Sequence, residues 1–299
     1  MKTGDARAHC ASGCVRHRRI RTAAGGNKSS RGREDQCRVR YSGSFDVEAF
    51  GVHFRLTAGC ADAYATLDQY AFPWLRRVEA KAGRPDLAVS IDQAAGEFRL
   101  AVGDDVVATA GEPLGLVRAL IQVLDETIVE RVRSLRAVHA GTVAWRGRAM
   151  LFPGATHAGK SALVTELLRR GATYFSDEYA LIDAEGRVHP YPRPLLVRDG
   201  GSEQRPLLAG SLGAAVGDAP APLGWIFALR YQPEGEWNVQ PVSQGEMLMA
   251  LLGNTPHTLT KAPEMIEVFQ RAVSEARCFA GVRGDAKDAV ERIIELIGA

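Results

Sequence analysis

Long apolar runs are absent from this 299-residue chain. No stretch approaches the roughly 20 consecutive apolar residues that span a bilayer. The opening residues are polar and arginine-rich, without the apolar segment of a secretory signal. A cytoplasmic location is therefore expected. Cysteine is scarce, with only Cys10, Cys14, Cys37, Cys60 and Cys278. His9 and His17 lie near the first two, but there is no C-x-x-C pair of the kind that builds a zinc site. A disulfide framework is not expected in a cytosolic chain. Two signatures are missing as well: there is no L-S-G-G-Q run and no N-K-x-D guanine-reading motif. Both absences point away from transporter ATPases and GTPases.

Neither sign of charge dominates overall, but positive charge is concentrated at one end. Residues 1–40 hold eleven Lys and Arg against three Asp and Glu, so with a whole-chain net of +2 the remainder is mildly acidic. That remainder lacks the charge of a nucleic-acid binder. Residues 1–44 show no apolar periodicity and read as a disordered basic tail, whose alternative role is contact with nucleic acid or an acidic partner.

Residues 154–161 read Gly-Ala-Thr-His-Ala-Gly-Lys-Ser, a complete G-x-x-x-x-G-K-S loop. One arrangement accounts for its fixed positions. Gly154 and Gly159 let the backbone curl, so that the N–H groups from Gly154 through Ala155, Thr156, His157 and Ala158 to Gly159 face phosphate oxygens. Lys160 supplies an ammonium between the β- and γ-phosphates, and the Ser161 hydroxyl is a Mg²⁺ ligand. The apolar run 149–152 reads as a buried strand entering the loop. Residues 161–170 read as the helix leaving it, with Leu163, Leu167 and Leu168 on one stripe and Gly171 at the stop. The helix N-terminus adds its positive dipole end.

Around this core the pattern is mixed. Strands are expected over 47–56, 87–91, 97–102 and 106–108, with a helix interrupted at Pro73 within 64–80 and a long amphipathic helix over 112–133. Residues 45–135 thus read as a small accessory α+β region. From 136 to 299 strands are expected over 137–145, 173–176, 179–183, 187–191, 194–197, 223–231, 237–242 and 277–282. Residues 199–222 read as an active-site loop, and helices follow around 243–252, 262–276 and 286–297.

The next carboxylate pair begins at Asp177. One helix, a glycine turn and one short strand separate it from Lys160, which puts it at the carboxyl end of the strand following the first helix. Glu178 adjoins it, and adjacent residues on a strand face opposite sides. Phosphoryl transfer needs positioning, charge neutralisation and a carboxylate to take a hydroxyl proton. One of the two is expected to take that proton, while the other orients a neighbour or holds Mg²⁺ through water. His139 precedes Gly154 by little more than a hairpin and falls on the strand beside the loop. Arg193, between Pro192 and Pro194, reads as a surface arginine at a hairpin exit, with contact to an anionic substrate group as the alternative.

The constellation of His139, the loop and Asp177-Glu178 resembles the catalytic domain of HPr kinase/phosphorylase, the P-loop protein-serine kinase fold related to phosphoenolpyruvate carboxykinase. The likeness covers about 135–250. It implies an α/β kinase domain over 136–299 that uses ATP and Mg²⁺, with Asp177 catalytic and His139 and Glu178 beside it. It also implies Glu203, in Ser202-Glu203-Gln204-Arg205, as a Mg²⁺ ligand. The chain departs from the family where Glu178 replaces a second Asp. It departs again where Gln244-Gly245-Glu246 stands in place of Pro-Gly-Arg, so that a phosphate-handling arginine is missing. These departures point away from HPr as acceptor and toward the stand-alone HPr-kinase-like proteins, which act on a serine of a small protein or peptide. Two other readings stay open: a nucleotide-binding sensor without transfer activity, and a small-molecule hydroxyl kinase. Self-association is also left open.

Overall fold

Hydrophobic alternation changes phase at Phe50-Gly51, and there the chain reverses. The computed structural model describes residues 43–80, 83–155, 158–198, 204–256 and 258–298. In it, β1 (Gly43–Ala49) and β2 (Val52–Ala58) form an antiparallel hairpin. Val47 and Ala49 are buried on the first strand and Val52, Phe54, Leu56 and Ala58 on the second. Phe50 and Gly51 both have positive φ, 52° and 81°, as a two-residue turn matching the strand twist requires. The single strand expected over 47–56 is thus two, and β1 takes in Gly43 and Ser44 from the expected tail.

Next come α1 (Ala61–Tyr70), β3 (Arg76–Arg77), β4 (Leu87–Ala94), β5 (Glu97–Val102) and β6 (Asp105–Ala110). The helix expected within 64–80 therefore ends at Tyr70, short of Pro73. The six strands lie in the order β3-β1-β2-β4-β5-β6. A 3₁₀ turn at Pro113–Leu116 precedes α2 (Val117–Arg131), because Pro113 suits a helix start but the regular ladder begins only after it. Leu116, Leu120, Leu124 and Ile128 pack into the same apolar cluster as Phe54, Leu56 and Ile91 of the sheet.

A second sheet follows, beginning with β7 (Arg136–Trp145) and β8 (Arg148–Pro153), joined by a turn at Arg146-Gly147. Then come α3 (Lys160–Arg169), β9 (Thr173–Ser176), β10 (Tyr179–Ile182), β11 (Arg187–His189), and the small hairpin of β12 (Leu195–Val197) and β13 (Arg205–Leu207). The chain ends with β14 (Ala221–Tyr231), β15 (Asn238–Pro241), α4 (Gln244–Gly253), α5 (Thr258–Ser274), β16 (Arg277–Arg283) and α6 (Ala286–Gly298). The expected loop over 199–222 thus contains β13, a 3₁₀ turn at Ala209–Leu212 and the start of β14. The order is β11-β10-β7-β8-β14-β16-β15, with β9 also on β7 and β11 also on β14. β8, β14 and β16 run parallel.

Helices cover both faces of this sheet, as a parallel core demands. Met150 and Phe152 of β8 face α3 and α6, packing with Leu163, Leu167, Val290 and Ile293. Ala149 and Leu151 face the other way, with Met247, Leu251 and Phe269 of α4 and α5. Phe152, Phe227 and Phe279 stack across the three parallel strands, with centroids 5.9 and 4.9 Å apart. Each such burial contributes about 1.5–3 kcal/mol. The chain is thus mixed α/β, and both sheets belong to one compact unit. Among the described residues no helix is long and apolar enough to cross a membrane.

Candidate functional site

The carboxyl end of β8 opens into the glycine-rich loop, and neighbouring backbone holds the loop there. The Gly154 N–H donates to the His139 carbonyl at 3.1 Å, and the Ala140 N–H donates to the Glu178 carbonyl at 2.9 Å. Loop, histidine and acid pair are thereby fastened to one end of β7. Gly159 caps α3 with φ +75°, and a Cβ on it would lie 2.2 Å from an Arg283 guanidinium nitrogen. Only glycine meets both demands without strain. A Cβ on Gly154 would lie 2.9 Å from that of Ala158. Thr156 and His157 of the predicted loop, and the predicted metal ligand Glu203, lie outside the described residues.

Lys160 begins α3. Its ammonium donates to the carbonyls of Gly154 (2.9 Å) and Ala155 (3.1 Å) and lies 3.2 Å from His139 Nε2. Burial pushes its pKa below the ordinary lysine value, and the charges of Glu178 and Asp177 only partly oppose this. His139 Nε2 is also 2.5 Å from Glu178 Oε1. One ring nitrogen cannot donate to the carboxylate and accept from the ammonium at once. Burial works against ionisation of Glu178, but the His139 hydrogen bond and the charges of Arg193, His139 and Lys160 outweigh it, holding the carboxyl below its ordinary value. Glu178 is therefore an anion at neutral pH, His139 Nε2 carries the hydrogen it accepts, and the Lys160 contact with the ring is a close approach.

Asp177 and Glu178 differ sharply in access. Asp177 is 1% exposed. It accepts hydrogen bonds from the Ser161 hydroxyl (3.0 Å) and the Leu196 N–H (3.3 Å), and the Tyr174 hydroxyl is 3.3 Å away. The Glu178 side chain is 32% exposed and lines a cleft of about 640 Å³ together with Gly159, Lys160 and Ser161. Among the described residues no three His, Cys, Asp or Glu side chains cluster as a metal site. Ser161 nonetheless offers the cleft a hydroxyl oxygen, a hard donor of the kind Mg²⁺ takes alongside phosphate and water, with Asp177 accepting its hydrogen from behind.

Arg193 is the correction of largest consequence. The predicted surface arginine is 1% exposed. Its guanidinium lies 3.0 Å from Asp125, 3.4 Å from Asp177 and 3.4 Å from Glu178. Asp125 comes from α2 and accepts a hydrogen bond from the Tyr191 hydroxyl. A buried cation thus ties the acid pair to a helix that precedes the whole second sheet in the chain. Sequence reading missed Asp125, although it is the lone acid among the buried residues of α2, and an acid on an apolar stripe is a usable signal. Arg283 was missed with no comparable signal. It is 1% exposed and donates to the carbonyls of Gly159 (3.0 Å) and Ala158 (3.3 Å), so it braces the loop from behind. Where the resembled family carries its arginine, Ser243 and Glu246 form a capping box for α4.

A scan against protein-family models found no match, and a search of curated proteins found none either.

Burial raises the Asp125 pKa to about 7, with Arg193 and the Tyr191 hydrogen bond opposing and the Glu178 and Asp177 charges adding to the rise. Between the ordinary aspartate value and about 7, the folded chain keeps a proton that the unfolded chain has released. Asp125 therefore adds stability below that window and loses it as pH rises through it. Asp125→Asn abolishes the effect. Denaturant unfolding across this range should show wild-type stability falling relative to the variant, by up to about 1.4 kcal/mol per pH unit. Parallel pH curves for the two proteins count against a raised Asp125.

Proposed function

We propose that this chain is an ATP- and Mg²⁺-dependent kinase of the P-loop type that phosphorylates a serine hydroxyl of a small protein or peptide. The observation that carries this reading is the convergence of the loop lysine, the Ser161–Asp177 pair and the Glu178–His139 pair at one cleft. Loop N–H groups and Lys160 bind the triphosphate, with Lys160 exchanging its loop carbonyls for phosphate oxygens. Ser161 would hold Mg²⁺, with Asp177 accepting its hydroxyl hydrogen from behind, and the ion would neutralise charge on the transferring group.

The division of labour we favour reverses the sequence expectation. Asp177 is enclosed and its oxygens are engaged, whereas Glu178 faces the cleft and is ionised. Glu178 then accepts the serine proton as the hydroxyl oxygen bonds to the γ-phosphorus and the bond to the β-phosphate oxygen breaks, releasing ADP. His139 holds Glu178 from one side and Arg193 from the other, so the carboxylate needs little reorganisation as charge moves.

A sensor that binds nucleotide without transfer is the second reading, favoured by the capping box that stands where the resembled family has its arginine. Purified full-length chain, radiolabelled ATP, Mg²⁺ and serine-bearing peptides separate the two. Label on a peptide serine supports the kinase. Tight ATP binding without label on any peptide supports the sensor, and no ATP binding ends both.

A further inference from the structure

β14 and β16 are the parallel neighbours that continue the sheet beyond β8, and their carboxyl ends reach the same edge as the loop. Tyr231 and Arg283 face each other in register at those ends. Ligands of open α/β sheets gather at this edge. The Arg283 guanidinium has two neighbours there. It donates to Gly159 and Ala158 on the loop, and it covers the Tyr231 ring at 5.0 Å from the centroid. One guanidinium therefore separates the loop from an aromatic ring. That ring is not sealed: Tyr231 is 46% exposed, unusual for a large apolar side chain in this protein. It lines the same cleft as Gly159, Lys160 and Ser161, and Asp285, Ala286 and Lys287 line that cleft too.

Glu178 lines the same cleft, and sheet order puts it, just after β9 on β7, on the opposite side of β8 from Tyr231 at the end of β14. The acceptor must come in on that side to meet Glu178. The nucleoside end of a bound triphosphate is left with the Tyr231 flank.

We propose that Tyr231, backed by Arg283 and bordered by Asp285 and Lys287, is the nucleoside subsite, with the nucleobase stacked on the open face of the Tyr231 ring. This rests on the reading of residues 154–161 as a triphosphate cradle. Stacking suits the arrangement because Arg283 occupies one ring face and fixes its plane, leaving the other to a flat π-system. Asp285 and Lys287 add an acceptor and a donor for sugar hydroxyls and base edges.

The test is calorimetric titration of the full-length chain with Mg²⁺-ATP and, separately, with Mg²⁺-tripolyphosphate, which has the phosphates but no nucleoside. Tyr231→Ala should weaken ATP about tenfold or more and leave tripolyphosphate within about twofold. Tyr231→Trp should keep ATP affinity. Equal losses for both ligands, or no loss of ATP affinity, overturn the subsite while leaving the cradle standing. Wild-type protein that binds neither ligand overturns the cradle, and the subsite with it.

Discussion

Replacing Glu178 with glutamine should lower the transfer rate about 10²- to 10⁴-fold, the usual contribution of a positioned general base. Affinity for ATP should stay within about threefold, a difference well under about 1 kcal/mol. Glutamine keeps the size of the side chain but only one carbonyl oxygen, enough for His139 or Arg193 and not for both, and it cannot take the serine proton. Asp177→Asn should behave differently. Asp177 meets the Ser161 hydroxyl and the Leu196 N–H in an enclosed position. Its loss should raise the Mg²⁺ concentration needed for half-maximal rate, with part of the rate recovered at high Mg²⁺. Single-turnover transfer measured across a Mg²⁺ series distinguishes the two variants. If Glu178→Gln transfers at the wild-type rate while Asp177→Asn is dead at every Mg²⁺ concentration, the base is Asp177 and the proposed division is wrong.

Arg193→Met should destabilise the fold by about 3–5 kcal/mol, because it strands buried carboxylates without their counter-charge. Asp177 and Asp125 are almost wholly enclosed, and Arg193 stands among both and Glu178. Above about pH 7, adding Asp125→Asn to the methionine variant should recover part of that loss, since an acid that must otherwise take up a proton to stay buried is then gone. Urea unfolding of the wild type, both single variants and the double variant closes the cycle. A loss below about 1 kcal/mol for Arg193→Met, the range of an exposed ion pair, means the guanidinium is not the counter-ion of this cluster. The same variant bears on function, because Arg193 connects α2 to the acid pair and its removal frees Glu178 to move.

How far the site was legible in the sequence depends on the range of the physics involved. The loop and its flanking elements were readable because each depends on nearby residues: a strand of apolar residues, glycines that tolerate tight curvature, and a helix with a leucine stripe. The place of Asp177 at the end of the strand after α3 was legible too, since a helix, a turn and one short strand leave the intervening chain little freedom. Arg193 was misread because its prolines suggest an exposed bend. Burial of an arginine depends on charges supplied from elsewhere, and one of them, Asp125, comes from α2. The strand expected over 47–56 failed for a local reason. The alternation was genuine, but its phase shift at Phe50-Gly51 signalled a turn.

Local pattern by itself thus determined the α/β character, most element boundaries, and the presence of a phosphate-loop signature with an acid pair one strand downstream. Those features arise from steric and hydrophobic preferences that act within a single helix or strand and the turns beside it. Only the tertiary structure decided which acid is enclosed and which faces the cleft, that Arg193 lies beneath both, and that Arg283 stands between the loop and Tyr231. Such matters depend on burial and on charges brought together from distant parts of the chain, and sheet order fixes them rather than sequence spacing.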